Sequence, residues 1–263
     1  MGEATLHESN YFITLTYDDI HMPYSEDVID FGTGEYIYKT LSKRDCQLFM
    51  KRLRKNYQYD NKVRFYLAGE YGSQTARPHY HAIMFGLQLD DIKLYKKTEL
   101  GFNLYTSEFL NKAWNYQGYV IVADVTWETC AYTARYVMKK QNGQGAEFFR
   151  ENGIQQEFTL MSRKPGIAKD FYELNKKDLL KYGEVNISTQ VGGKKIRNTK
   201  YFSKFLEIEY PEEYSINKEK KIAEMKVLKA LKLEKTDKSY LELLNTAESV
   251  KKSRIKALER KEL

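Results

Sequence analysis

Two stretches of alternating residues, VRFYLAGEY at 63–71 and HYHAIMFGL at 79–87, are separated only by GSQTARP. Alternation at period two, with β-branched and aromatic residues, reads as two strands. A loop this short closes them into an antiparallel hairpin, which is expected to form the centre of the domain. Further along, YFITLTYDD (11–19) and YVIVADVT (119–126) read as strands in the same way. Residues 42–57 carry Cys46, Phe49, Met50 and Leu53 at helical spacing, with Ser42 as the N-cap and Asp45 in the first turn. Residues 106–117 and 127–141 also read as helices, the second capped by Thr126 or, alternatively, Thr129. Short antiparallel strands with helices packed on one face give an α+β class: a central antiparallel sheet flanked by helices.

Residues 20–40 read as an irregular excursion, and GQGAEFFRENG (143–153) as a loop or short turn. A Pro-Gly turn opens a helical stretch within 161–182, and a basic turn leads into a short helix within 191–206. From about residue 216 the chain is rich in Lys, Glu and Leu and has no Gly or Pro, which predicts a solvated helical C-terminal extension broken near 236–238. The expected division is a domain over 1–210, with its motif core at 10–141, followed by the charged helical extension 211–263.

The chain has four histidines, and two of them, His79 and His81, sit on one predicted strand. Residues two apart on a strand share a face. The two imidazoles therefore stand side by side, while Tyr80 points the other way into a core. If the hairpin closes with Glu70 opposite His79, Ala68 lies opposite His81 and Glu70 joins the same face. Two imidazoles and one carboxylate with positions left open make a catalytic metal site rather than a closed structural one. The carboxylate favours a hard ion, Mg2+ or Mn2+. A slip of one residue in register would turn Glu70 away.

On the helix at 127–141, Tyr132 and Tyr136 lie four apart on one stripe, with Lys139 and Lys140 following. A phenol can attack a phosphodiester and hold the phosphate as a reversible ester. Arg135 and Lys139 are placed to favour the phenolate.

Composition excludes some classes. No window approaches the apolar length of a membrane span, and MGEATLHESNYF lacks the features of a secretory signal. Cys46 and Cys130 have no metal-type spacing and are too few for a disulfide framework, so a reducing cytosolic setting is expected. A net charge of +7 and 22 tyrosines suit a polyanionic partner whose bases stack on aromatic rings. Arg52, Arg54 and Lys55, and Lys194, Lys195 and Arg197, are basic clusters suited to a phosphate backbone. The zinc hydrolase class fits poorly. No further His or Cys lies near the pair, and there is no metalloprotease glutamate motif.

FITLTY, GEYGSQTARPHYHAIMFG and YTARYVMKK resemble, in order and spacing, the three motifs of the HUH endonuclease superfamily. The likeness is nearest to replication initiators of the microviruses, of the gokushovirus type. MSRKPGI at 161–167 is similar to a family segment more loosely. The resemblance implies a metal held by Glu70, His79 and His81, and nucleophiles at Tyr132 and Tyr136. It puts the lysine of Tyr-x-x-Lys at Lys139, and places the first motif, including Tyr17, near bound DNA. Arg77, Arg135, Lys140, Lys194, Lys195 and Arg197 complete the expected nucleic-acid contacts. The function implied is nicking of single-stranded DNA at a phage origin through a covalent 5′-phosphotyrosine, which starts rolling-circle replication, and rejoining at termination. Host helicase and polymerase would be partners, and the host bacterial cytoplasm the location. Two alternatives remain: a plasmid-type relaxase or transposase of the same chemistry, and a non-catalytic single-stranded nucleic-acid-binding module.

Overall fold

The computed structural model describes residues 1–257 except 27, 28, 31, 35, 37, 73, 100, 140–143, 190 and 191, and leaves out the side chains of 136–139, 144, 145 and 255–257. The chain forms two compact units, 1–173 and 174–263. The expected boundary at 210/211 falls inside the second.

The first unit is built on one sheet. Its strands are β1 (Asn10–Thr16), β2 (Arg64–Tyr71), β3 (Pro78–Phe85), β4 (Lys93–Lys97), β5 (Asn103–Thr106), β6 (Val120–Asp124) and β7 (Phe158–Met161). They lie in the order β4-β5-β6-β1-β3-β2-β7, and every neighbouring pair is antiparallel. The hairpin β2–β3 closes in the expected register, Glu70 opposite His79 and Ala68 opposite His81.

Alternation sorts the strands' side chains between two layers. Ile13, Leu15, Leu67, Tyr80, Ala82, Met84, Val120 and Val122 face one layer. There they meet Cys46, Phe49, Met50 and Leu53 of helix α1 (Lys43–Asn56) and Leu110 and Ala113 of α2 (Glu108–Ala113). Each Val, Leu, Ile, Phe or Met side chain buried fully in this core contributes about 1.5–3 kcal/mol. Ser42 caps α1 by accepting from the Asp45 amide. Phe12, Ile83 and Phe85 face the opposite layer, where Cys130 and Tyr132 of α3 (Trp127–Lys139) pack against them. Helices therefore cover both faces of the sheet, where the sequence reading put them on one. The cap of α3 uses both candidate threonines: Thr129 N–H donates to the Thr126 hydroxyl, and Thr126 N–H to that of Thr129, a reciprocal box.

Three edge or near-edge strands, β4, β5 and β7, were not expected. Residues 144–151, expected as a loop, form helix α4 (Gln144–Glu151). Helix α5 (Lys169–Tyr182) spans the division between the units. The second unit continues with a two-stranded ribbon, β8 (Glu184–Thr189) and β9 (Gly192–Arg197), and helices α6 (Lys200–Glu209), α7 (Pro211–Leu233) and α8 (Tyr240–Ala257). The expected break between the last two helices is present. Ser239 and Glu242 cap the restart, each donating its amide to the other's side chain.

One motif residue lands on the wrong layer for its expected role. Tyr17 is 2% exposed within the α1 layer. Its hydroxyl donates to Asp45 at 2.7 Å and lies 3.1 Å from the Tyr80 hydroxyl, which accepts the Ser42 amide. Burial pushes both phenols well above their ordinary value, so each stays protonated and works as a donor. A buried ring with a committed hydroxyl offers no face to a base, which corrects the expectation of a Tyr17 contact to DNA. Tyr17→Phe leaves the half-buried Asp45 and the buried Tyr80 short of one bond each. It is expected to cost about 1–3 kcal/mol, read as a lower urea midpoint at an unchanged slope.

Candidate functional site

Register brings the candidate ligands to the layer that α3 covers. Glu70 on β2 stands directly opposite His79 but reaches diagonally to the next residue on that face. Its Oε1 lies 3.0 Å from Nε2 of His81. Diagonal neighbours in an antiparallel pair are about 7–8 Å apart at the backbone, within reach of a glutamate. The pair is secluded, with Glu70 6% and His81 7% exposed; His79 is half-buried. Among the described residues, no three His, Cys, Asp or Glu side chains meet closely enough to hold an ion. Glu70 and His81 are in contact, and His79 is their register neighbour.

Thr14 on β1 pairs with His81 on β3, and its hydroxyl lies 3.1 Å from Nδ1. A hydroxyl both donates and accepts, so Thr14 satisfies either tautomer of the ring. With Nδ1–H given to Thr14, Nε2 turns a lone pair toward any cation beside Glu70. The Phe12 ring stacks on His81 at 5.6 Å with 9° between planes. This packing and the Thr14 bond fix the plane of the imidazole. One carboxylate oxygen and an imidazole nitrogen held in a fixed plane, with a second imidazole on the same face, are donors of the kind that divalent ions take. Thr14 and Phe12 had not been singled out. The signal that finds them is parity, because 12, 14 and 16 alternate with the core residues Ile13 and Leu15.

Tyr132 approaches from α3. Its ring meets His81 edge-on, 5.2 Å between centroids, and Phe12 at 6.3 Å. The structure thus brings one candidate nucleophile and two candidate ligands into one cluster. The Tyr136 backbone follows one turn later on α3, while its side chain and those of Lys139 and Lys140 lie outside the described residues. Arg135 is half-buried, with Nε donating to the Ala131 carbonyl at 3.2 Å.

The remaining basic candidates are dispersed. Arg77 is held in the loop before His79 by Asp19 at 2.5 Å and the Tyr17 carbonyl at 2.9 Å. On β9, Lys195 and Arg197 share an exposed face, where Lys195 pairs with Glu184. Lys194 points to the opposite, half-buried face beside Ile187. The three cationic residues of this cluster therefore do not form one patch. Burial pushes the Cys46 and Cys130 thiols up, which disfavours their thiolates.

A family model described as replication-associated protein ORF2/G2P matches residues 10–141. Over 210 residues the chain is 30% identical to replication-associated protein ORF2 of Spiroplasma virus 4, covering 79% of this chain and 61% of that protein. It is 35% identical over 138 residues to replication-associated protein VP4 of Bdellovibrio phage phiMH2K, covering 52% of this chain and 41% of that protein. It is 33% identical over 144 residues to replication-associated protein ORF4 of Chlamydia phage 1, covering 52% of this chain and 32% of that protein. The chain thus spans between about a third and three fifths of the length of these curated relatives. No solved structure matches. No helix among the described residues is long and apolar enough to cross a membrane.

Proposed function

The chain belongs to the family of replication-associated protein ORF2/G2P, and we propose that it works as a microvirus-type replication initiator by nicking one DNA strand at an origin through a tyrosine. The observation that carries this reading is the cluster on the α3 side of the sheet. Glu70 and His81 are in contact at 3.0 Å and the Tyr132 ring stands 5.2 Å from the imidazole.

Glu70, His79 and His81 would hold a divalent ion, Mg2+ or Mn2+, which when bound supplies positive charge to the scissile phosphate and to the departing 3′ oxygen. Thr14 and Phe12 keep the His81 ring in one plane, so its nitrogen is aimed before the strand arrives. Burial of Glu70 and His81 excludes competing water. Tyr132 or Tyr136 loses its phenolic proton to solvent, with Arg135 and Lys139 favouring the phenolate. The phenolate oxygen bonds to phosphorus as the bond from phosphorus to the 3′ oxygen breaks. The 3′ oxygen takes up a proton and leaves as a hydroxyl, and the 5′ phosphate stays on the tyrosine. The free 3′-hydroxyl primes a host polymerase behind a host helicase. After one round the second tyrosine attacks the regenerated origin. The released 3′-hydroxyl then displaces the first tyrosine and closes a single-stranded circle. Two phenols one helical turn apart allow this alternation at a single centre. The setting is the host bacterial cytoplasm.

Incubation with labelled single-stranded origin DNA and Mn2+ is expected to give a protein–DNA band that survives boiling in detergent. Mass spectrometry of tryptic fragments should find the 5′-phosphate on the peptide that ends at Arg135 and carries Tyr132, or on the next one, which begins with Tyr136. Attachment through another residue, or none, refutes the assignment.

A further inference from the structure

The sheet face that carries Glu70, His79 and His81 is only partly covered. Helix α3 packs chiefly over β2, β3 and β7. On the β4–β5–β6 side of the same face, Leu104, Thr106, Ile121 and Ala123 remain half-buried.

Two cross-strand rows run from this open half into the candidate site. In the first, Leu15 pairs with Val120, so Thr16 pairs with Tyr119, and the Thr16 amide donates to the Tyr119 carbonyl. Thr16 in turn pairs with His79, and His79 with Glu70. Val120 and Val122 face the α1 layer, so Tyr119 points to the site face, where it is 72% exposed. It stands two strands from His79, about 10 Å at the usual spacing. In the second row, Lys93 pairs with Thr106. The Tyr105–Val122 pair puts Thr106 beside Ile121. Ile121 pairs with Thr14, and Thr14 with His81. Lys93 lies four strands out, about 19 Å from His81.

The edge strand β4 carries an irregularity with a consequence for charge. The register shifts between Leu94 and Lys96, so Lys96 pairs with Leu104. An unbulged strand would put Lys93 and Tyr95 on one face and Lys96 on the other. The bulge re-aims Lys96 so that Lys93 and Lys96 both face the side of the histidines. Lysines anywhere on an edge strand would suffice to block edge-to-edge pairing; that role does not account for their shared phase.

We infer that this open half of the sheet is a track for single-stranded DNA leaving the candidate site, on which Tyr119 stacks a base and Lys93 and Lys96 hold the backbone. The track rests on the proposed DNA-nicking function and deepens it by naming where the strand lies. The occupant follows from the chemistry. An exposed ring beside the site suits an unpaired base, and the lysine pair at the far edge suits phosphates.

The test measures binding of a short fluorescein-labelled single strand by polarisation over a salt series, with the same strand annealed to its complement as competitor. Tyr119→Ala is expected to weaken binding about 5- to 150-fold, the range for loss of one stacked base, while Tyr119→Phe stays near the parent. The Lys93→Ala, Lys96→Ala pair is expected to flatten the slope of log affinity against log salt by about 1.4. A control pair on the opposite helix layer, Lys51→Ala with Lys112→Ala, should leave it unchanged. Equal effects from the control pair, unchanged binding by the Tyr119 and Lys93–Lys96 variants, or losses confined to the duplex overturn the track. Adduct formation on the same proteins separates the two readings. Adduct with normal binding by the variants overturns the track alone. Track-dependent binding with no adduct supports the track and overturns the tyrosine chemistry. A parent protein that binds no single strand overturns both.

Discussion

His81→Ala is expected to slow DNA nicking about 1,000-fold, on the order of 4 kcal/mol of lost transition-state stabilisation. The size follows from the position of the ring. It is in contact with Glu70 at 3.0 Å, bonded to Thr14 at 3.1 Å and stacked on Phe12. Its removal deletes one donor and releases the Glu70 carboxylate as well. A buried cluster that loses one member costs more than a single contact, because the remaining polar groups have lost water and partner together. Thr14→Val separates positioning from ligation. The valine keeps the shape of the threonine but cannot hold Nδ1. Metal activation should move to about 10- to 100-fold higher Mn2+, with the rate at saturating ion near the parent's. A His81→Ala protein that nicks within about tenfold of the parent, or a parent that nicks at full rate in excess chelator, would remove the metal-centred reading. Retained far-ultraviolet circular dichroism in the variant keeps the result free of unfolding.

The hairpin at the centre was legible because both strands are long and alternating, and one short loop leaves few registers. The Glu70–His79 pairing follows from that closure. The face of Tyr17 was equally legible. It shares the odd parity of Ile13 and Leu15, and parity alone sends it to the α1 layer; membership in a motif carried the opposite expectation. The separation of Lys194 from Lys195 and Arg197 follows the same rule once residues 192–197 are known to be a strand. That knowledge was not available from a Gly-Gly-Lys-Lys run with no apolar alternation. Strands β4, β5 and β7 are four or five residues long, and exist through pairing with a neighbour rather than through their own pattern. Residues 144–151 contain a glycine in the first turn, a weak local signal for a helix. The contact of Thr14 with His81 lay beyond sequence reading, because it requires the order of non-consecutive strands. The same holds for the two rows that join Tyr119 and Lys93 to the histidines.

Gly118→Ala is expected to destabilise the protein by roughly 3–5 kcal/mol, combining backbone strain with overpacking. Gly118 has φ +154°, and a methyl group there would meet the Thr16 carbonyl oxygen at 2.3 Å, the Asp18 amide nitrogen at 2.6 Å and the Tyr17 carbonyl carbon at 2.7 Å. All three are backbone atoms of the chain leaving β1, so no side-chain rotation relieves the contact. The Thr16 carbonyl also accepts the indole N–H of the fully buried Trp114 at 2.9 Å. Any shift that makes room for the methyl group pulls on that bond. Thr16 pairs with both His79 and β1's partner at Tyr119, so the same shift displaces the row that ends on Glu70. Stability and nicking should therefore fall together, and the buried-tryptophan emission should change even where the protein remains folded. With a urea slope of about 2 kcal/mol per molar, the midpoint should drop by roughly 1.5–2.5 M. A midpoint within about 0.3 M of the parent, with unaltered tryptophan emission, would mean that β1 and the segment before β6 do not approach each other at this carbonyl. The rows that tie the open face to the candidate site would then lose their register.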